Sequence, residues 1–301
     1  YQYLYSWRRR DLYLLITGCV VLIIVGFSPF FKQEGHVYIL DVGHGDAIVI
    51  STPEGENILI DGGTEKMGKL TVIPFLRSRG ISQLDYIIAS HADEDHIGGI
   101  FPILENFKTC NFIHGEGFSN STLGVKMLKK VGSKHTFVIQ VKDGQQIDLK
   151  KGNLNVIYAG RTYYSETNPN SLVMKFSYNN FSILFTGDFP CGLARRELPV
   201  KDSSAVVLKI PHHGLKNSIN QDMLEITHPE IAVASVNEYT RNWGVRKEIK
   251  ELLNQFHIPL WRTDYYGGIT IEYRNNKINL FGARQKDGYI LQDDKESIKT
   301  F

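Results

Sequence analysis

Apolar and polar positions along the chain fall into two unlike regimes. From Leu12 to Phe31, twenty residues run without a charge and are rich in Leu, Ile, Val and Phe. At about 1.5 Å per helical residue such a run spans roughly 30 Å, the hydrocarbon thickness of a bilayer. It predicts a transmembrane helix over residues 12–31. A secretory signal has a shorter apolar stretch ending in a small-residue cleavage site, unlike Ser28-Pro29-Phe30-Phe31. A buried helix of a soluble protein is seldom apolar all round. Beyond Gly35, short apolar runs are separated by Gly, Asn, Asp and Pro. They predict strands at Val37–Asp41, Ala47–Ile50, Asn57–Asp61, Asp85–Ala89, Leu154–Tyr158, Leu172–Tyr178, Phe181–Thr186, Val206–Ile210, Ile231–Ala234 and Gly268–Glu272. Helical periodicity falls at Leu70–Arg79, Ile97–Phe107, Ser121–Val131, Asn220–Thr227 and Val245–Phe256. Strands dominate both ends of each half and helices intervene, which predicts a layered α/β sandwich rather than strict βα alternation.

Charge orients the apolar run. Arg8, Arg9 and Arg10 precede it, with Tyr1, Tyr3, Tyr5 and Trp7 as an interfacial belt, and Lys32 alone follows. The positive-inside rule predicts a cytoplasmic segment over 1–11 and an extracytoplasmic remainder, a domain over 35–284 with a polar tail over 285–301. The chain opens on Tyr rather than Met, which reads as a processed chain or a cut from something longer. Lys and Arg total 34 against 32 Asp and Glu, a net charge of 34 − 32 = +2, which excludes a polybasic binder of phosphate. With 42% of residues apolar and 11% aromatic, an acidic disordered chain is excluded too. Three cysteines without a C-x-x-C pair leave no thiolate zinc knuckle and no disulfide scaffold.

Candidate chemistry clusters at strand ends. After Tyr86-Ile87-Ile88-Ala89 comes Ser90-His91-Ala92-Asp93-Glu94-Asp95-His96-Ile97-Gly98-Gly99. Carboxylates crowded there repel one another unless a divalent ion converts the repulsion into coordination. Gly98 and Gly99 let the next helix begin close to the site. Phe181–Thr186 delivers Asp188 at its tip, and Val206–Ile210 delivers His212 and His213.

The His-x-Asp-x-Asp-His motif, Thr186-Gly187-Asp188 and His212-His213-Gly214 resemble the metallo-β-lactamase superfamily. Leu40-Asp41-Val42-Gly43-His44-Gly45-Asp46-Ala47, Ile60-Asp61-Gly62-Gly63, Asn170-Ser171-Leu172-Val173 and Lys209-Ile210-Pro211-His212-His213-Gly214 narrow the resemblance. They look like the extracytoplasmic domain of ComEC-type DNA-uptake (competence) proteins, from about Val37 to Leu280, with the preceding helix fitting the last span of the channel portion. The resemblance implies a four-layer αββα sandwich and a phosphodiesterase or nuclease that degrades one strand of incoming DNA. It implies His91, Asp93, Asp95, His96, Asp188 and His212 or His213 as metal ligands, with Asp95 and Asp188 also catalytic. Asp61, Asn170 and Ser171 would brace the ligands. One or two divalent ions are implied. The partners it implies are DNA, the membrane and the channel portion of the same longer protein.

Three departures bear on that expectation. Asp93 stands where the superfamily commonly has a second His, the mid-domain His gives way to the region around Asn168 and Asn170, and His44 stands where relatives usually have Gln. Oxygen in place of imidazole shifts preference from Zn²⁺ toward Mn²⁺ or Mg²⁺. Lys209, Lys216 and Trp243 are candidate substrate contacts, Trp243 and the Tyr163-Tyr164 pair as stacking platforms. Cys110 and Cys191 are a candidate disulfide in an oxidising compartment. Two other readings stand beside the nuclease: an extracellular phosphodiesterase or phosphorylcholine-type esterase acting on cell-wall polymers, and a degenerate domain that guides DNA without cutting it.

Overall fold

Alternate residues along β1 (Gly35–Ile39), β2 (Ile48–Ser51), β3 (Asn57–Ile60) and β4 (Gln83–Ala89) enter two different cores. Val37, Ile39, Ile48, Ile50, Ile58, Ile60 and Ile88 pack in a central core, whereas Tyr38, Val49, Leu59, Ile87 and Ala89 pack in an outer one. A period of two with both faces apolar marks a sheet covered on each side. The computed structural model describes residues 12–20, 34–237, 244–274, 277–284, 289–292 and 299–300. Among these, β5 (Lys108–His114), β6 (Phe137–Gln140), β14 (Ile269–Arg274), β15 (Lys277–Gly282), β16 (Tyr289–Gln292) and β17 (Lys299–Thr300) extend that sheet in the order β17-β16-β15-β14-β1-β2-β3-β4-β5-β6. A second sheet runs β13-β12-β11-β10-β9-β8-β7, from β13 (Leu260–Arg262), β12 (Ile231–Ala234), β11 (Val207–Lys209), β10 (Phe181–Phe185), β9 (Val173–Tyr178), β8 (Asn153–Tyr158) and β7 (Gln146–Asp148).

Three apolar clusters separate four layers. The central one joins the sheets, with Met174, Phe176, Ile183 and Phe185 answering Ile39, Ile48 and Ile60. On the first sheet's outer face, Leu59 and Phe112 meet Leu76, Ile103, Met127 and Val131, from the helices Ile73–Ser78, Ile100–Asn106 and Thr122–Gly132. On the second sheet's outer face, Leu184 and Leu208 meet Met223, Leu224, Ile249 and Leu253, from the helices Gln221–Thr227 and Lys247–Gln255. The result is the expected αββα sandwich. Pairs β3/β4 and β10/β11 are parallel, so each pair's C-terminal tips share one edge of its sheet.

The helix start behind Gly98-Gly99 is as tight as the sequence predicts. A Cβ on Gly99 would stand 1.9 Å from the Gly62 carbonyl oxygen, and the Gly99 N–H donates to Gly63 at 2.7 Å. Backbone cannot yield as a side chain can, so Gly99→Ala is expected to cost about 3 kcal/mol of stability. A urea-unfolding midpoint checks this, and an unchanged midpoint contradicts it.

Two expectations change, the disulfide and the polar tail. Cys110 and Cys191 are both free. Cys110 lies on β5 of the ten-stranded sheet, whereas Cys191 belongs to the outer core of the seven-stranded one, so different layers keep them apart. The chain divides into units at residues 1–34 and 35–301. In the first, residues 12–20 are helical, and Leu12, Tyr13, Leu14, Leu15, Ile16 and Val20 are each 47–68% exposed. Among the described residues no helix is long and apolar enough to cross a membrane. Residues 21–31 of the expected span lie outside them. Within the stretch expected as a tail, β16 and β17 continue the ten-stranded sheet.

Candidate metal centre

Strand tips assemble the site. β4 ends at Ala89, and the turn after it carries His91 and Asp93 into the short helix Glu94–Ile97, which bears Asp95 and His96. β10 releases Asp188, whose N–H donates to Ser171 Oγ at 3.1 Å. β11 runs into the turn Pro211–Gly214, where the His212 N–H donates to the Gly187 carbonyl at 3.1 Å. Three non-glycine residues here are left-handed, Asp61 (φ 56°), His212 (φ 48°) and His213 (φ 55°). Each such conformation costs about 1–3 kcal/mol and persists only where the surroundings enforce it. At His212 and His213 it turns two consecutive imidazoles toward one carboxylate.

That carboxylate is Asp188, and its two oxygens divide the site. Oδ1 faces His96 Nε2 at 3.3 Å and His213 Nε2 at 3.7 Å. Oδ2 faces His91 Nε2 and His212 Nε2, each at 3.8 Å. Asp95 completes the first half, 3.6 Å from His213 and 4.0 Å from His96, and Asp93 completes the second, 3.5 Å from His91. The structure thus brings together all seven candidate ligand side chains. It also gives both histidines of the pair a place, His213 on one half and His212 on the other.

Behind these side chains a hydrogen-bonded layer fixes the rings. Asp61 accepts from the Ser90 N–H at 2.8 Å and from Ser90 Oγ at 2.6 Å, and pairs with His96 Nδ1 at 2.8 Å. Ser90 Oγ in turn lies 2.9 Å from His91 Nδ1. A carboxylate only accepts, so His96 carries its proton on Nδ1 and turns the Nε2 lone pair into the site. Ser90 spends its single proton on Asp61 and accepts from His91, with the same result. His213 is backed by Asp46, whose Oδ1 is 3.7 Å from Nδ1 and whose Oδ2 takes a 2.9 Å ion pair from Lys209.

Whether a divalent ion fits can be judged from the atoms left over. His91 Nε2, His96 Nε2, His213 Nε2 and Asp188 Oδ1 are buried without a hydrogen-bond partner. Across the Asp188 carboxylate the separations run from 3.3 to 3.8 Å, long for hydrogen bonds. His91, His96 and Asp188 can each offer one ligand atom, all within 4.8 Å of one another, and the same holds for His44, Asp95 and His213. Buried polar atoms without partners are costly, and a cation between them removes that cost. Electrostatics agree. Burial alone would raise the Asp188 carboxyl, but His96 and His213 hold it well below the carboxylate range. Burial likewise opposes charge on His96, yet Asp188 and Asp61 raise it well above the ordinary histidine value. Asp95 is lowered by His213 and His96 against its own burial. Surroundings that favour a proton on His96 favour a dication in its stead. Adding Mn²⁺ or Zn²⁺ at about 100 times its dissociation constant is therefore expected to stabilise the fold by about 2.7 kcal/mol. At about 2–4 °C per kcal/mol that raises Tm by roughly 5–10 °C. A melting curve that ignores both ions would contradict the fit.

The sequence profile of the metallo-beta-lactamase superfamily matches residues 40–236, well over half of the chain. The chain belongs to that superfamily. As a metallo-β-lactamase domain it is similar to ComE operon protein 3 of Bacillus subtilis strain 168, with 29% identity over 297 residues, 92% of this chain and 38% of that protein. It is similar to Recombination protein 2 of Haemophilus influenzae, with 25% identity over 280 residues, 90% of this chain and 33% of that protein. Competence protein ComA of Neisseria gonorrhoeae is 24% identical over 258 residues, 83% of this chain and 34% of that protein. The chain therefore spans between a third and two fifths of the curated relatives it matches. Among solved structures, the metallo-β-lactamase fold protein YhfI of Bacillus subtilis superposes with a TM-score of 0.53 at 13% identity, over 76% of this chain and 96% of that one.

Other expected residues of this metallo-β-lactamase domain fall elsewhere. Lys209 is 1% exposed, its ammonium held by Asp46 and the Ile210 carbonyl, so it braces the core and does not reach substrate. Asn170 organises a loop: it accepts from the Arg161 N–H at 3.0 Å and donates to the Tyr164 and Glu166 carbonyls at 3.0 and 2.9 Å. Tyr163 stands 68% exposed on that loop, its ring 4.6 Å from Tyr164. Lys216 is exposed and lines a groove of about 500 Å³ with Arg246 and Asn220. Trp243 lies outside the described residues. Several other basic residues pair with acids, Lys130 and Lys134 with Glu105, Arg195 with Asp222, Lys247 with Glu251. Sequence reasoning missed Ser90 and Asp46. The signal for Asp46 was present: a charge at the start of the apolar run Ala47–Ile50 must find a buried partner.

Proposed function

We propose that this domain is a metal-dependent phosphodiesterase acting on DNA, tethered to a membrane as part of a DNA-uptake protein. The observation that carries the reading is Asp188, one buried carboxylate presenting an oxygen to each of two imidazole-bearing halves. Similarity to a protein named for competence supports DNA as the substrate. A helix at 12–20 whose apolar side chains stand exposed, followed by more uncharged apolar sequence to Phe31, supports a membrane anchor. The three arginines before it support a cytoplasmic N-terminus and an extracytoplasmic domain.

Asp95, His96, His213 and Asp188 would hold one ion, and His91, Asp93, His212 and Asp188 a second. When bound, a divalent ion supplies Lewis acidity and a nucleophile at neutral pH. The chain's residues do the rest. Asp61 and Ser90 hold His96 and His91 in the tautomer that faces the site. Asp93 and His212, each with about a third of the side chain exposed, form the mouth through which a phosphodiester approaches. Asp95 reaches solvent between His96 and His213 and is positioned to hydrogen-bond the attacking water. Two carboxylates beside two imidazoles in each half form a donor set open to Mn²⁺ and Mg²⁺ as well as Zn²⁺.

The test is cleavage of end-labelled single-stranded and duplex DNA by the full chain with Mn²⁺, Mg²⁺ or Zn²⁺. The reading expects metal-dependent fragments. Tight binding without cutting would replace it with a DNA guide. Hydrolysis of choline or phenyl phosphodiesters alone would replace it with a wall-directed esterase.

A further inference from the structure

The loop between β1 and β2 does more than join strands. It runs Val42-Gly43-His44-Gly45-Asp46, and Gly43 and Gly45 are both at positive φ, 76° and 117°. A Cβ at Gly45 would stand 2.1 Å from the carbonyl oxygen of Asp95, so only glycine lets this loop lie directly on the ligand-bearing turn. The contact delivers the His44 ring into the site. His44 Nε2 is 3.4 Å from Asp95 Oδ2, closer than either His96 or His213 comes to that oxygen, and the ring centre lies 4.3 Å from that of His213. His44, Asp95 and His213 offer ligand atoms within 4.8 Å of one another. His213 is fully buried, and its Nε2 points to this space without a hydrogen-bond partner. The His44 side chain is 27% exposed, so it approaches from the open side, whereas Asp46 of the same loop backs His213 from within.

We propose that His44 is a third imidazole ligand of the Asp95–His96–His213 half, and that it makes this half select Zn²⁺. The inference rests on the proposed metal centre. With His44 the half presents three nitrogens and the carboxylates of Asp95 and Asp188. The other half presents two nitrogens, from His91 and His212, and the carboxylates of Asp93 and Asp188. Imidazole suits Zn²⁺, whereas carboxylate oxygen suits Mn²⁺ and Mg²⁺. One Asp188 would then join two positions of different metal preference.

Zn²⁺ and Mn²⁺ competition titrations of the full chain, as wild type, His44→Ala and His44→Gln, test the proposal, with visible absorption of the Co²⁺-loaded proteins. Removing the ligand should weaken Zn²⁺ at one position by about 100-fold or more, the upper end of the loss seen for residues that merely orient ligands. Mn²⁺ at the other position should stay within about threefold of wild type, far inside that range. The Co²⁺ bands should move to longer wavelength as oxygen replaces nitrogen. Circular dichroism of the metal-free variants checks folding, and His44→Gln, which keeps a polar side chain of similar reach, serves if the alanine variant is unfolded. Zn²⁺ affinity and Co²⁺ spectrum both unchanged would overturn the ligand role. DNA cleavage by the same samples separates the two readings. A wild type that binds both ions yet never cuts DNA removes the nuclease and leaves His44 standing. A cutting enzyme indifferent to His44 removes only the inference.

Discussion

Asp188→Ala is expected to lower phosphodiester cleavage by about 1000-fold or more, equivalent to about 4 kcal/mol of transition-state stabilisation. Asp188 is 5% exposed and faces four imidazoles, two on each oxygen. Among the described residues no neighbouring carboxylate spans that pattern: Asp95 approaches His96 and His213, and Asp93 approaches His91. Without the shared anion the rings lose the charge that opposes their burial and hold divalent ions poorly. Asp188→Asn keeps the volume and removes the charge, so it should fall nearly as far. Single-turnover cleavage of labelled DNA at saturating metal reads the loss. Retention of activity within about tenfold would show that the centre does not depend on this carboxylate.

The second large effect lies away from the ligands. Lys209→Met should destabilise the fold by about 3–5 kcal/mol, because it leaves the Asp46 carboxylate buried without its partner. At about 2–4 °C per kcal/mol this is a fall in Tm of roughly 6–20 °C. Burial opposes ionisation of Asp46, and the Lys209 ammonium chiefly keeps its pKa below the usual carboxylate range. Adding Asp46→Asn to Lys209→Met removes the bare charge and should restore much of the loss. A double variant no better than the single one, or a single variant melting with wild type, would contradict the buried pair. Differential scanning calorimetry of the three proteins decides it.

How far the sequence reached is clear from particular elements. Ile231–Ala234 was legible to the residue, since four buried positions leave no polar face to blur the ends. Val37–Asp41 was displaced by two residues from β1, because the chain leaves the sheet at Leu40, whose N–H returns to the Ala47 carbonyl at 3.0 Å. The helix expected from Leu70 begins at Glu65 behind the Thr64 cap and passes through a π-turn at Gly68–Val72, which breaks the 3.6-residue rhythm. β5 was not expected at all: Lys108, Cys110 and Asn111 interrupt its apolar residues, and only pairing between β4 and β6 makes them a strand.

Of the site, the clustering of the candidate ligands was legible because imidazole and carboxylate side chains at three strand ends have few other uses. The division of labour between His212 and His213 was not, for it depends on two left-handed residues that no periodicity reports. Nor was the role of Lys209. A lysine on a strand near a phosphate-cleaving centre suggests a substrate contact, whereas pairing with Asp46 turns it inward. Such long-range pairs, 163 residues apart in sequence (209 − 46), are set by the packing of one sheet on the other.

The proposed chemistry depends on the four-imidazole cluster around Asp188 holding divalent ions. Metal analysis of the purified full chain after dialysis against Mn²⁺ or Zn²⁺ measures that directly, beside Asp188→Ala and His96→Ala. Stoichiometric metal on the wild type and a large loss from both variants are expected. A folded wild type that retains no divalent ion, or variants that retain as much as the wild type, would contradict that chemistry.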